Sequence, residues 1–122
     1  MTTTALQRQA LGRYGETVAE RHLHEQGMIT LDRNWRCDEG ELDLVLRDGD
    51  VLVVCEVKTR SSDDFGSPHE AVGDAKLARL RSLAERWMAD HDLGQVPDLR
   101  IDLVAIIHPA RGAAVIDHVR GL

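Results

Sequence analysis

The segment Asp48-Gly49-Asp50 constrains this chain more than any other, because it divides two strand-like runs with the residues of a tight turn. Before it, Glu41 to Arg47 alternates charged or polar residues with leucine; after it, Val51 to Lys58 is rich in valine. Such runs joined by Asp and Gly read as a β-hairpin, so the two are expected to be antiparallel neighbours. Side chains alternate along a strand, which places Glu56 and Lys58 on one face with Leu52 and Val54. The turn then decides where Asp43 falls. If Gly49 and Asp50 form it, Asp48 pairs with Val51 and Asp43 lies opposite Glu56, with Cβ atoms about 5 Å apart. If Asp48 and Gly49 form it, Asp43 pairs with Val54 and lies diagonal to Glu56, roughly 7 to 8 Å away between backbone positions. Both registers keep one face, whereas a three-residue loop with a bulge would break the parity.

Around this hairpin the chain reads as helix, three strands, helix, two strands. Residues 1 to about 6 are polar and aperiodic, and the domain proper is taken as 10–122 behind a flexible tail of 1–9. From Gln7 to Gln26, Leu11, Tyr14, Val18, Ala19, His22 and Leu23 recur at helical spacing, and Gly27 marks the stop. Gly12, Gly15 and Ala19 share a neighbouring strip where missing side chains would let the backbone approach a sheet, and Glu16 sits beside it. Met28 to Arg33 reads as a short strand and Asn34 to Gly40 as a polar loop. Beyond the hairpin, Thr59 to Pro68 has the Ser, Asp, Gly and Pro of a loop. Between about His69 and His91 a helix turns Leu77, Leu80, Ala84, Trp87 and Met88 to the core, with Lys76, Arg79 and Arg86 on a polar flank. Gly94 and Pro97 precede two last strands, Arg100 to Ile107 and Ala113 to Val119, joined around Pro109 to Gly112. That order implies an α/β or α+β domain, a mixed sheet of about five strands with helices packed against it.

Two carboxylates and an amine on one patch carry a chemical cost, since adjacent acids repel unless a proton or cation lies between them. A divalent ion supplies that charge. Magnesium binds few carboxylates, keeps several waters and takes oxygens from phosphate, so Asp43, Glu56 and a nearby backbone carbonyl such as that of Val57 would suffice. Manganese is the expected substitute. Water on such an ion ionises readily enough to attack phosphorus, and Lys58 would orient it or stabilise charge developing on the phosphate. Against this stands a plainer reading, because Glu-x-Lys on a strand is more often a surface ion pair than a catalytic site. The valines on both faces of Val51 to Cys55 favour a strand covered on both sides and a partly buried Glu56, and buried acids are seldom placed without a role.

Composition sets limits. The net charge of −6 argues against a nucleic-acid partner if spread evenly, although acids gathered around a cation would account for part of it. Apolar runs fall far short of the ~20 residues that cross a bilayer, and Met1 to Leu11 lacks the charged start and apolar centre of a secretory signal. A cytoplasmic protein with no membrane partner is expected. Cys37 and Cys55 are expected to be thiols, the six histidines show no zinc spacing, and phosphate-loop and dinucleotide fingerprints are absent.

Gly40-Glu41-Leu42-Asp43, followed after twelve residues by Glu56-Val57-Lys58, resembles the PD-(D/E)xK nuclease signature. With Gly15-Glu16, Ala19, Asn34-Trp35-Arg36, Thr59-Arg60, Phe65-Gly66, Lys76 and Arg100-Ile101-Asp102, the ensemble resembles the bacterial YraN-type family of predicted endonucleases, similar to archaeal Holliday-junction resolvases. The likeness spans about residues 10 to 120. It implies a restriction-endonuclease-like fold, Asp43 and Glu56 as magnesium ligands, Lys58 as catalytic amine, and Glu16 as an accessory acid from the first helix. Leu42 stands where the signature has proline. The implied activity is hydrolysis of phosphodiester bonds in DNA, branched or structured. Cutting both strands of a junction takes two sites, so a homodimer is expected, although 122 residues can equally act as a monomer.

Arg36 and Arg60 flank the proposed site as phosphate contacts, and Lys76 and Arg79 could track phosphates along one helical flank. A solvated helix face is the alternative for Arg79 and Arg86. Glu41 is read as a partner of Arg36, and Trp35 as a core residue before a base-stacking one. The competing function is a non-catalytic module that binds nucleic acid or protein on the same fold.

Overall fold

The structure is a computed structural model that describes residues 4–60, 72–93, 98–107 and 112–122. Helix α1 (Ala5–Glu25) begins where Thr4 and Gln7 cap each other: the Gln7 N–H donates to Thr4 Oγ1 at 3.1 Å and the Thr4 N–H to Gln7 Oε1 at 2.8 Å. This reciprocal pair satisfies donors that a helix start otherwise leaves exposed. It moves the start ahead of Gln7 and into the stretch 1–9 read as a tail. The helix ends as expected at Gly27, whose φ of 92° lets the Gly27 and Met28 N–H groups turn back onto the carbonyls of His24 and Leu23.

Strands β1 (Ile29–Cys37), β2 (Gly40–Asp48) and β3 (Val51–Arg60) follow, then helix α2 (Asp74–Asp90) and strands β4 (Asp98–Ile107) and β5 (Val115–Val119). They form one mixed sheet in the order β1-β2-β3-β4-β5, with β3 and β4 parallel and the other pairs antiparallel. The expected α/β architecture, one five-stranded sheet flanked by two helices, is therefore observed. β1 is longer than its sequence suggests. Asn34 to Cys37, read as loop, continues the strand, because Trp35 and Cys37 pair with Leu42 and Gly40 and pack on the core beneath α2. α2 begins at Asp74, after Gly73; residues 69–71 of its expected first turn lie outside the described residues, as do Phe65-Gly66, Gly94, Pro97 and most of the Pro109 turn.

Two apolar layers sandwich the sheet. On one face, Ala19 and Leu23 of α1 meet Leu44, Leu46, Val53, Cys55, Val104 and Ile106; on the other, Leu80, Leu83, Ala84 and Trp87 of α2 meet Leu42, Val45, Leu52, Val54 and Ile101. Trp87 is buried without leaving its N–H unpaired, since Nε1 donates to Asp32 Oδ2 at 2.9 Å. Cys37 and Cys55 are free thiols, and burial pushes the Cys55 pKa up. Neither described helix is long and apolar enough to cross a membrane.

Candidate active site

The hairpin adopts the first of the two registers. Asp48 pairs with Val51, and the ladder runs to Leu44 opposite Cys55. Gly49 takes φ 60°, which suits the first position of a two-residue Gly49-Asp50 turn. The regular pairing stops one residue short of Asp43. There Asp43 Oδ2 accepts the Val57 N–H at 2.9 Å, so a side chain replaces the backbone acceptor that the next ladder step would supply. Alternation breaks at the same place: Leu44 packs beneath α1, yet Leu42, two residues earlier, packs beneath α2. In β1, the Arg33–Leu44 and Trp35–Leu42 pairs enclose Asn34, which has φ 50°. Strand parity alone therefore does not locate the Asp43 carboxylate; its hydrogen bond to Val57 does.

Glu56 is 9% exposed, as the valine-rich run predicts. Its Oε1 lies 3.5 Å from Lys58 Nζ and 3.0 Å from Lys76 Nζ. Lys76, expected as a phosphate contact, thus joins the centre from the first turn of α2. The two amines are driven apart in acidity. The hydrogen bond with Lys76, then burial, holds Lys58 below the usual lysine range despite Glu56. Burial also opposes charge on Lys76, but bonds with Lys58 and Glu56 outweigh it and raise its pKa.

Asp43 has the most perturbed surroundings of the three. Burial and then the Glu56 charge push its pKa up to about 7, with further contributions from Glu16 and Glu41 and opposition from the Val57 N–H. Glu16 reaches this region because α1 is pinned to β3: a Cβ on Gly15 would stand 1.8 Å from Thr59 Oγ1, a distance only glycine permits. The close approach read from Gly15 is real, whereas Gly12 has nothing within 4 Å of the same position. A cavity of about 300 Å³ opens there between α1 and the end of β3, and Glu16, Asp43, Val57, Lys58 and Arg60 line it.

The remaining residues divide. Arg36 pairs with Glu41 at 2.8 Å, as expected, with the Arg36 side chain 78% exposed. Arg79 is exposed on α2, and Arg86 pairs with Asp38 and Glu39 of the turn between β1 and β2. Among the described residues, no three His, Cys, Asp or Glu side chains are grouped to hold a metal ion. The donors available are Asp43, Glu56 and the Val57 carbonyl, which in an extended strand faces the same edge as its own N–H and hence Asp43. Among the described residues Asp43 makes no ion pair, so its one hydrogen bond leaves lone pairs for a cation. That donor set fits a hard divalent ion that completes its shell with water and phosphate oxygens.

A second buried acid, Asp102, figures in the sequence only as part of the family resemblance, with no role assigned to it. Asp102 is 0% exposed and accepts two bonds from Arg100 at 2.8 and 3.1 Å, one from the Gly121 N–H at 3.1 Å, and a contact from His118 Nε2 at 2.9 Å. His118 Nδ1 is in turn 3.2 Å from His22 Nε2 on α1. Arg100-x-Asp102 spacing, two residues on one strand face, was the available signal; nothing local announces His118.

Comparison with known proteins places the chain. The model of the family described as "Uncharacterised protein family UPF0102" matches residues 15–106. A UPF0102 protein from a Nocardioides species is 67% identical over 115 residues, 94% of this chain and 92% of that one. Those of Beutenbergia cavernae and Streptomyces coelicolor are 56% and 55% identical, covering 93% and 94% of this chain and 95% and 89% of theirs. With a matched segment that takes in both acids, both lysines and the whole sheet as far as Ile106, the chain belongs to the UPF0102 family.

Proposed function

We propose that this protein is a metal-dependent endonuclease that hydrolyses phosphodiester bonds in DNA, with branched or structured DNA as its substrate. One observation carries the reading: a partly buried Asp43, pushed up to about pH 7 by burial and neighbouring acids, lies beside a Glu56 already held by Lys58. A folded protein tolerates such uncompensated acidity at a functional site more readily than in its structural core. Asp43, Glu56 and the Val57 carbonyl would hold Mg²⁺, or Mn²⁺ in its place, which when bound supplies Lewis acidity and lowers the pKa of water. Lys58 stands ready to orient the attacking water or to balance charge on the phosphate. Lys76 holds Glu56 in place from the opposite element. Glu16 is the accessory acid at the cavity wall. Preference for branched DNA rests on the sequence resemblance to junction resolvases.

Purified protein with Mg²⁺ or Mn²⁺ is expected to nick flapped or four-way DNA. Asp43→Ala, Glu56→Ala and Lys58→Ala should each lower the rate more than about a hundredfold, as expected when several kcal/mol of charge stabilisation is lost. Equal cleavage by all four proteins would end the proposal. The net charge of −6 favours the second reading, a non-catalytic binding module. Calorimetry separates them, since the nuclease must bind Mg²⁺ or Mn²⁺ and lose affinity in Asp43→Asn, whereas the module has no need of the ion.

A further inference from the structure

The cavity beside Asp43 has two chemically different ends. Arg8, Gly12 and Glu16 follow one another at four-residue intervals on α1 and so share one strip of the helix, about 12 Å long at 1.5 Å per residue. All three line the cavity, with Asp43, Lys58 and Arg60 across from them. Glu16 and Asp43 line the cavity together and make its acidic end. Arg8, one turn past Gly12 in the other direction, brings a guanidinium to the same cavity, and Arg60, the last residue of β3, brings a second. Between them Gly12 leaves a gap, because a Cβ built there meets no atom within 4 Å.

We propose that this groove is a strand-binding site, in which Arg8 and Arg60 hold a flanking phosphodiester of the strand being cut and Gly12 gives the backbone room to pass. The inference deepens the nuclease reading and rests on it; the ligand is the sugar–phosphate backbone of one nucleic-acid strand. Guanidinium groups match phosphate oxygens in a bidentate fashion. The groove length exceeds the ~3.4 Å axial spacing of phosphates along one strand, so a phosphate at the basic end and another at the acidic end can be bound together. A cation at the acidic end and guanidiniums at the basic end would also relieve the repulsion that a net charge of −6 otherwise imposes on a polyanion. Free phosphate or a mononucleotide presents the same anionic group, and only the experiment separates it from a strand.

The test uses the full chain carrying Asp43→Asn, so that DNA is bound without being cut, and a fluorescein-labelled junction or single strand in Ca²⁺ buffer. Anisotropy over a range of KCl gives affinity and its salt dependence. Arg8→Gln and Arg60→Gln are each expected to weaken binding about threefold to tenfold and to lower the salt slope by about 0.7 to 0.9, the contribution of one phosphate contact. Gly12→Leu, which improves helix propensity while filling the groove, should weaken binding at least about tenfold with a melting temperature that is unchanged or raised. Arg21→Gln, exposed elsewhere on α1, should change neither quantity. Millimolar inorganic phosphate or deoxynucleoside monophosphate should fail to displace the strand. Tight DNA binding untouched by the Arg8, Arg60 and Gly12 substitutions overturns this site and leaves the nuclease reading standing, and displacement by free phosphate overturns it as well. Absence of both cleavage by the unaltered protein and binding by Asp43→Asn overturns both. Should Gly12→Leu fail to fold, the two arginine variants decide.

Discussion

Asp43 and Asp102 are two acids withdrawn from water in one sheet, and they are treated in opposite ways. Burial raises the pKa of both. At Asp102 the bonds from Arg100, His118 and the Gly121 N–H more than offset it, so the carboxyl titrates below its ordinary value. At Asp43 one N–H opposes burial and three neighbouring acids, and the carboxyl titrates near pH 7. Asp102 is the more hidden of the two, so depth does not decide the outcome; the supply of donors and positive charge does. The fully matched acid ties β4 to the C-terminal turn and, through His118 and His22, to α1. The unmatched one leaves an electrostatic demand that an external cation can meet.

The sharpest way to break this contrast is substitution. Asp102→Ala leaves Arg100 paired with Asp48 alone at 3.1 Å and removes the acceptor of the His118 and Gly121 N–H contacts, so it should cost about 2 to 4 kcal/mol in urea unfolding, as expected when buried donors lose their partner. Asp43→Asn, by contrast, should leave the fold as stable or make it more so while removing cleavage. A loss of stability at Asp43 equal to that at Asp102 would erase the distinction.

Acidity gives opposite slopes. A carboxyl whose folded pKa is raised stabilises the fold below its unfolded pKa and loses that contribution as pH rises through the folded value. The metal-free protein should therefore lose up to about 4 kcal/mol from Asp43 as pH rises from about 4 to beyond 7, about 1.36 kcal/mol for each tenfold change in proton concentration across that window. Asp102 acts the other way: its lowered pKa contributes above about pH 4 and fades on acidification. Urea midpoints measured from pH 3 to pH 8 on the unaltered protein and Asp43→Asn will show whether the neutral limb disappears in the variant. At pH 8, Mg²⁺ at a hundred times its dissociation constant should restore about 2.7 kcal/mol, and should not do so in Asp43→Asn. The smallest expected change comes from Glu16→Gln, which should lower the Asp43 pKa less than Glu56→Gln does, read as a shift in the pH at which stability falls. A pKa unmoved by Glu16→Gln would remove that acid from the site.

Local chemistry made the hairpin legible. The Asp48-Gly49-Asp50 turn fixed an even register, and valines on both faces signalled a buried Glu56. The helix stop at Gly27 and the close packing at Gly15 were legible for the same reason, since each needs a residue without Cβ. What the sequence hid depends on distant neighbours. Lys76 was read as a phosphate contact because nothing near it predicts that α2 will set its ammonium 3.0 Å from Glu56. β1 was cut short at Arg33 because Asn34 looks like a loop residue, and only its pairing with β2 carries the strand on to Cys37. The break in alternation at Asp43 belongs to the same class, as does the His118 contact that completes Asp102.

The parallel union of β3 with β4 has a consequence for the order of assembly. Val51 meets Asp98 and Arg60 meets Ile107, so the central pair of strands can join only after the chain has looped through the whole of α2. The hairpin closes over a two-residue turn and needs no such excursion. Nascent chains would thus bring Asp43 and Glu56 together before Lys76 arrives to share their charge, making the middle of the folding reaction the moment at which the mutual repulsion of these acids is least relieved.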